Sequence, residues 1–197
     1  MAEKNSFETS GEPAALPELI IRPVALFWVT VVMGILGGML AVPGVMATLY
    51  TTGHGMLFPI YIVVIGPVVE ELLKPSGMLF LLRWRPFLIR TRWQFLLGAI
   101  LGGLTFSVLE NLIYQSVFLV NFPRAQWREI MIYRWVVCTA LHVVCSTISG
   151  FGLLAAWRRS GGTEGQFRFR YALPYLGAAI ALHGIYNLLV TLFAHPL

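Results

Sequence analysis

Two adjacent glutamates and a lysine lie inside a long apolar run, in the segment GPVVEELLKPSG at positions 66–77. These residues are Glu70, Glu71 and Lys74. An ionisable side chain at the centre of a membrane span costs about 2.5–3.5 kcal/mol, so such groups normally face the protein interior and take part in function. Glu70 and Glu71 point about 100° apart around a helix. We therefore expect one of them to meet other polar groups while the other pairs with Lys74.

Three more ionisable side chains lie deep in apolar runs further along the chain: Glu110, His142 and His183. Asn187 follows His183 by four residues, which places both on one face of a helix. A buried glutamate beside a trapped water can act as general base and then as general acid in peptide hydrolysis. His183 and Asn187 are suited to donate hydrogen bonds to the oxyanion. These residue types are compatible with a hydrolase in which a glutamate of the 70–71 pair activates water.

The same residues are also compatible with a catalytic zinc site. His142, His183 and Glu110 would supply two imidazoles and one carboxylate as metal ligands, and Glu70 or Glu71 would be left as the base. However, the sequence contains no HExxH-like pair that places two ligands on one turn of a helix. We therefore favour the version without a cofactor and keep zinc as the alternative.

The elements that must position these side chains are membrane helices. The chain has 197 residues, of which 57% are hydrophobic and 12% charged, and its mean hydropathy is +0.75. This composition excludes an ordinary soluble domain. Apolar runs long enough to span a bilayer lie at about 24–49, 56–82, 94–120, 130–157 and 172–194. We expect an all-α polytopic membrane protein with about five transmembrane helices and an active site buried near the midplane.

A polar segment precedes the first run. Residues 1–22 carry four glutamates and two prolines, and they lack the basic flank of a cleavable signal peptide. We expect residues 1–22 to form a polar cytoplasmic tail and residues 23–197 to form a single transmembrane protease domain. Within the first run, Pro43 is expected to kink the helix or end it early, because proline has no backbone N–H to donate.

The arginines are sorted by loop. Positions 83–92 and 158–170 each contain four arginines, whereas the loop around His54 carries no charge. The positive-inside rule places these two loops and the N-terminus in the cytoplasm and the C-terminus outside. We therefore expect a multi-pass protein of the cell membrane. The net charge of +5 reflects this sorting, and no nucleic-acid partner is expected from it.

The candidate side chains reach a similar depth in the membrane. We counted inward from the cytoplasmic end of each run at about 1.5 Å per residue. On this count four side chains lie about 17–24 Å deep: Glu71, Glu110, His142 and His183. Independent placement would seldom bring polar groups from four helices to one level. We therefore expect these groups, together with Glu70, to converge on one water-accessible cavity.

Four short motifs occur one per run, in the order EELLK (70–74), FSVLEN (106–111), LHVVCSTISGFG (141–152) and HGIYN (183–187). Over roughly residues 56–190 they resemble the motifs of the PrsW family of intramembrane proteases, which is related to the CAAX prenyl endopeptidases. In the CAAX branch the second motif ends in histidine, whereas Glu110 stands here, as in PrsW-like sequences. The resemblance implies an intramembrane endopeptidase whose partners are the lipid bilayer and a membrane-anchored protein substrate.

Two rival classes also place polar residues in membrane helices. Proton-coupled transporters and channels use chains of carboxylates and histidines, but the inverted repeat typical of transporters is not evident in this sequence. An inactive relative that binds transmembrane helices would keep the fold without the chemistry, yet every motif position is filled. Single residues have structural interpretations as well. Lys74 with one glutamate can be a buried ion pair, and Arg134 is interpreted as an interface residue that snorkels toward water.

Overall fold

The computed structural model describes residues 22–51, 57–119, 123–162 and 166–193. Within these ranges the chain is almost entirely helical and contains no β-strand, which confirms the expected all-α class. The nine α-helices of these ranges are α1 (Pro23–Leu40), α2 (Val42–Thr51), α3 (Leu57–Ile60), α4 (Gly66–Leu73), α5 (Ser76–Trp84), α6 (Trp93–Ile113), α7 (Arg124–Tyr133), α8 (Thr139–Arg159) and α9 (Leu173–Phe193). Three π-helical segments follow α3, α6 and α7, respectively: Tyr61–Ile65, Tyr114–Phe118 and Arg134–Cys138.

Four helical stretches among the described residues are long and apolar enough to cross a membrane. They are Pro23–Thr48, Trp93–Val117, Arg124–Arg159 and Leu173–Phe193. These stretches correspond to four of the five expected runs and confirm a polytopic membrane protein. The remaining expected run, 56–82, coincides with α3, α4 and α5, whose path is interrupted, and it is not one of the four.

The interruption between α4 and α5 has a simple backbone cause. Pro75 has no N–H to donate to the carbonyl of Glu71, so the helical ladder breaks and the chain turns at Lys74 and Pro75. A count of apolar residues does not register such a break, because the side chains on both sides of it remain apolar. An earlier break separates α1 from α2 at Ala41, close to the kink expected at Pro43.

Helices α1 and α6 approach each other closely through two small-residue motifs. A Cβ added to Gly34 would lie 2.8 Å from the carbonyl oxygen of Gly98, and one added to Gly38 would meet the carbonyl oxygen of Gly102. Backbones this close leave no room for a side chain. The motifs Gly34-xxx-Gly38 and Gly98-xxx-Gly102 therefore pack against each other within one chain.

Helix α6 lies centrally, with α1 and α8 packed against it, and α9 packs on α8. At the end of the bundle that carries the arginine-rich loops, buried apolar side chains form one cluster. Its members are Met78, Leu81, Leu82, Ile89, Phe95, Leu153, Leu154, Ala156 and Ala172. This cluster, hereafter the apolar plug, fills the bundle on that side.

Some expectations fall on residues outside the described ranges. The polar tail, apart from Arg22, belongs to this group, as does the loop around His54. Cys138 and Cys145 are described, and both are free thiols buried in the helix bundle. Their burial makes them useful reporters of unfolding.

Candidate active site

Seven ionisable side chains form one continuous chain of polar contacts between α4, α6, α8, α9 and the π-helical segment before α8. In order of contact, they are Arg134, Glu110, His142, Lys74, Glu71, His183 and Glu70. The structure thus brings together all five ionisable residues that the sequence singled out as catalytic candidates. It adds Lys74 and Arg134 to them.

Lys74 lies at the centre of this chain. Its Nζ atom is 2.6 Å from Glu71 Oε1 and 3.0 Å from His142 Nδ1, and it lies 4.3 Å from the centroid of the Phe106 ring. Because only 2% of Lys74 is exposed, its charge depends on these partners. An ammonium group only donates, so His142 accepts at Nδ1 and, when neutral, carries its proton on Nε2.

The contacts of His183 fix its tautomer as well. Its Nδ1 atom lies 2.9 Å from Glu71 Oε1, the same oxygen that Lys74 contacts. A carboxylate held by an ammonium accepts hydrogen bonds, so His183 donates from Nδ1 and keeps a lone pair on Nε2. Glu70 Oε2 lies 3.8 Å from this Nε2 atom. That distance is too long for a direct hydrogen bond and suits a bridging water.

Glu110 connects the cluster to Arg134. Its Oε2 atom is 2.9 Å from His142 Nε2 and 3.0 Å from Arg134 Nη2. Arg134 also donates from Nε to Asn111 Oδ1 at 3.2 Å, and its guanidinium lies 3.9 Å from the centroid of the Tyr114 ring. Its side chain is 14% exposed. The interpretation of Arg134 as a snorkelling interface residue is therefore wrong.

The sequence did hold a signal for Arg134. Arg134, Cys138 and His142 recur every four residues, which places them on neighbouring faces of one helical path. A charged residue in register with a candidate catalytic histidine points to the protein interior.

Asn187 satisfies a backbone carbonyl that a proline leaves without a donor. Gly66 N donates to Tyr61 O, five residues back, as in a π-helix. The next bond in this register would run from residue 67 to Ile62, but Pro67 has no N–H. Asn187 Nδ2 donates to Ile62 O instead, at 2.8 Å. This contact ties α9 to the π-helical segment that leads into the two glutamates.

The polar cluster borders a cavity of about 390 Å³. The cavity-lining residues of two segments come before Glu70 and before His142 in the sequence. On the other two segments they come after Glu110 and after His183. Because successive spans run in opposite directions, the other lining residues all lie on one side of the cluster. The cavity therefore extends away from the arginine-rich loops, and the apolar plug fills the bundle on the opposite side.

The two glutamates of the pair each keep one oxygen without a protein partner. Glu70 Oε2 and Glu71 Oε2 are buried and make no hydrogen bond within the described residues. Buried polar atoms of native proteins nearly always have a partner, from protein or from water. Glu70 borders the cavity, so its Oε2 atom is the one placed to bind a water molecule or a metal ion there.

The residues that fit a metal ion differ in one member from the set expected from the sequence. One ligand atom each from Glu70, His142 and His183 lie within 4.8 Å of one another, the one such group of three found in the described part of the chain. The sequence-based set contained Glu110 in place of Glu70. One carboxylate and two imidazoles match the donor types of catalytic zinc.

Two of these three ligands, Glu70 and His183, are oriented to bind a metal ion, and His142 is not. Glu71 accepts from Nδ1 of His183, the outer-shell contact that typically orients a metal-binding histidine. His142, in contrast, has Lys74 at 3.0 Å from Nδ1 and Glu110 at 2.9 Å from Nε2. It would have to exchange one of these contacts to bind an ion.

Comparison with known proteins gives the geometry a family context. No curated protein and no solved structure matches the chain. Residues 22–197, which include every described helix and the whole polar cluster, match the family model described as PrsW family intramembrane metalloprotease. This match confirms the resemblance carried by the four motifs. The chain belongs to the PrsW family of intramembrane metalloproteases.

Proposed function

We propose that the protein hydrolyses a peptide bond of a membrane-anchored protein substrate with a water molecule that Glu70 activates. The position of Glu70 Oε2 carries this proposal. The atom is buried without a partner among the described residues, its side chain borders the cavity, and it lies 3.8 Å from His183 Nε2. General-base catalysis needs a carboxylate within hydrogen-bond reach of the attacking water.

The attacking water belongs between Glu70 and His183. A water oxygen about 2.8 Å from Glu70 Oε2 and from His183 Nε2 can donate one hydrogen bond to each, because both atoms are acceptors. When this oxygen attacks the carbonyl carbon, its proton passes to Glu70 and the carbonyl oxygen becomes negative. The C–N bond then breaks, and Glu70 gives the proton to the leaving amine.

The remaining members of the chain orient these two acceptors. Lys74 pairs with Glu71, and Glu71 accepts from Nδ1 of His183. This contact turns the lone pair of His183 toward the water. On the other side, Lys74 and Glu110 together hold His142 by both ring nitrogens. Four elements are thereby fixed relative to the attacking water, which lowers the entropic cost of the reaction.

A metal-assisted form of the reaction is the second candidate. It is favoured by the family description and by the three potential ligands that lie within 4.8 Å. Glu70, His142 and His183 would hold the ion, which would supply a more acidic water and polarise the carbonyl. Glu110 borders the same cavity and would be the carboxylate left to accept the proton.

The test is cleavage of a panel of single-span fusion proteins by the purified protein in liposomes. We expect the wild type to cut at least one of them and Glu70→Gln to cut none. In the glutamate form, activity persists after thorough chelation. In the metal form, chelation stops cleavage, and elemental analysis finds about one ion per chain that is lost in His183→Ala. A wild-type rate in Glu70→Gln would overturn the role of Glu70, and wild-type rates in both Glu70→Gln and Glu71→Gln would overturn a base in this pair.

We also propose an orientation for the molecule in the cell membrane. The arginines at 83–92 and 158–170 favour a cytoplasmic position for both loops and for the tail 1–22, with the C-terminus outside. The cavity then extends toward the outer leaflet, and the protease domain comprises residues 23–197. Labelling of Phe87→Cys and Gln166→Cys in intact cells tests this, because reaction with an impermeant reagent would contradict a cytoplasmic position.

A further inference from the structure

The two oxyanion donors expected from the sequence are both engaged in other contacts. His183 donates from Nδ1 to Glu71, so its Nε2 atom, which lies near Glu70, offers a lone pair and no proton. Asn187 donates one of the two hydrogens of Nδ2 to the carbonyl of Ile62 at 2.8 Å, which leaves one N–H. Peptide hydrolysis nevertheless needs a donor aimed at the oxygen that becomes negative. Only one N–H of Asn187 is left for this role, and a charged donor on the cavity wall would complete the oxyanion site.

Arg134 borders the same cavity and is held rigidly by residues of α6 and the π-helical segment after it. Its Nε donates to Asn111, its buried Nη2 lies 3.0 Å from Glu110, and its guanidinium lies 3.9 Å from the Tyr114 ring centroid. Nε makes a hydrogen bond, whereas Nη2 is paired with Glu110 by charge only and is buried without a hydrogen-bond partner among the described residues. The guanidinium thus keeps donors that no described residue accepts, and the side chain keeps 14% of its surface exposed.

We propose that Arg134 is a catalytic residue that donates a guanidinium N–H to the carbonyl oxygen of the scissile bond. This inference rests on the proposed hydrolysis. No proton is transferred in the contact: the guanidinium stays charged throughout, and the hydrogen bond strengthens as the oxygen becomes negative. A delocalised cation that cannot lose its proton suits this role. Glu110 balances the charge of Arg134 while no oxyanion is present.

The physical advantage lies in the environment of the guanidinium. A fixed donor in a site shielded from bulk water stabilises a developing negative charge far more than water does, and it needs no reorganisation during the reaction. The three contacts of Arg134 supply this fixation before the substrate binds. Removal of a single oxyanion donor typically lowers kcat by about 10²–10³-fold.

The first experiment compares Arg134→Gln with a matched control, Arg128→Gln, on the fusion protein that the wild type cleaves. Arg128 lies on α7, one helix before Arg134 in the same helical path, and is exposed. We expect Arg134→Gln to lower kcat by about 10²-fold or more with KM changed less than threefold, and Arg128→Gln to behave like wild type. Unchanged kcat in Arg134→Gln would overturn the inference while leaving the proposed function intact.

A second experiment separates contact with the substrate from support of Glu110. If Arg134 only positions Glu110, the double variant Glu110→Gln/Arg134→Gln should be no slower than Glu110→Gln alone. If Arg134 contacts the oxyanion, the double variant should lose at least a further tenfold. Added guanidinium chloride at low millimolar concentration should raise the rate of Arg134→Ala several-fold and leave that of Arg128→Ala unchanged. An absence of both effects would contradict the inference even if Arg134→Gln is unstable.

The outcomes also separate this inference from the proposed function. Absence of cleavage by the wild type across the whole panel would overturn the hydrolysis and the role of Arg134 together. Cleavage by Glu70→Gln at the wild-type rate would overturn the role of Glu70 alone, and the Arg134 comparison would still stand. Both results are read from the same liposome assay.

Discussion

Two buried polar networks in this protein differ in whether their hydrogen bonds are complete. The first surrounds Gln94 at the start of α6. Its Oε1 accepts from the N–H groups of Arg90 and Thr91 at 2.8 and 3.0 Å and from Thr91 Oγ1 at 3.1 Å. Its Nε2 donates to Thr30 Oγ1 at 3.0 Å and to Leu88 O at 2.8 Å. Both polar atoms of the Gln94 side chain thus have partners.

The second network is the cluster around Lys74. It is equally buried, but Glu70 Oε2 and Glu71 Oε2 have no partner among the described residues, and the cluster borders a cavity. A completed network rigidifies a fold, whereas an incomplete one is costly unless a ligand completes it. Burial of polar groups therefore does not by itself identify an active site. An unsatisfied carboxylate oxygen beside a cavity is what makes the Lys74 cluster the candidate site.

The largest expected effect comes from Glu70→Gln. The change removes the general base and should lower kcat by about 10³-fold or more. Since Glu70 Oε2 has no partner among the described residues, the unfolding temperature should stay within a few degrees of wild type. A thiol-reactive dye that reports exposure of Cys138 and Cys145 on heating measures unfolding directly. A large loss of stability with little loss of activity would show that Glu70, like Gln94, has a structural role.

The opposite pattern is expected for Gln94→Leu. The variant keeps a similar volume but leaves the N–H groups of Arg90 and Thr91 and the carbonyl of Leu88 without their partner. We expect a destabilisation of about 1–3 kcal/mol, seen as a lower temperature of dye reaction. The value of kcat at a temperature where the variant is folded should stay within twofold of wild type. A hundredfold loss of kcat there would show that the two networks are not separate in function.

A smaller effect is expected for Asn187→Leu, which tests a residue between the two networks. Asn187 borders the cavity, yet its amide donates to the Ile62 carbonyl that Pro67 cannot serve. Loss of one such hydrogen bond in a membrane helix costs about 0.6–1.7 kcal/mol. We expect that loss of stability together with less than a tenfold fall in kcat. A fall above a hundredfold at unchanged stability would instead assign Asn187 to the oxyanion, as the sequence suggested.

The interior placement of the candidate site followed from sequence because of the cost of burying charge. Glu70, Glu110, His142 and His183 occur in apolar runs, and polar groups at such depth are stable when they contact one another. The helical fold followed equally from composition, since backbone hydrogen bonds in lipid must be satisfied within the protein. The motifs and their spacing indicated the family, and the match over residues 22–197 confirms it.

Tertiary structure alone decided the pairing inside the cluster. The contacts of Lys74 with His142 and of Glu71 with His183 join residues 68 and 112 positions apart, so no local pattern specifies them. The π-helical segments are a second reason why sequence could not predict these contacts. Each changes the angular register of the residues that follow, which makes face assignments from a period of 3.6 unreliable.

Two features of the fold differ from the expectation based on sequence. Composition predicted a continuous run at 56–82, but Pro75 breaks its backbone without changing its hydropathy. A snorkelling interface position is expected for Arg134 from sequence, but the packing of the helices pairs it with Glu110 of α6. Sequence therefore determined which residues had to be buried together. Only the packing of the helices decided which atom of each residue faces the cavity, because that depends on backbone register and on partners far away in the chain.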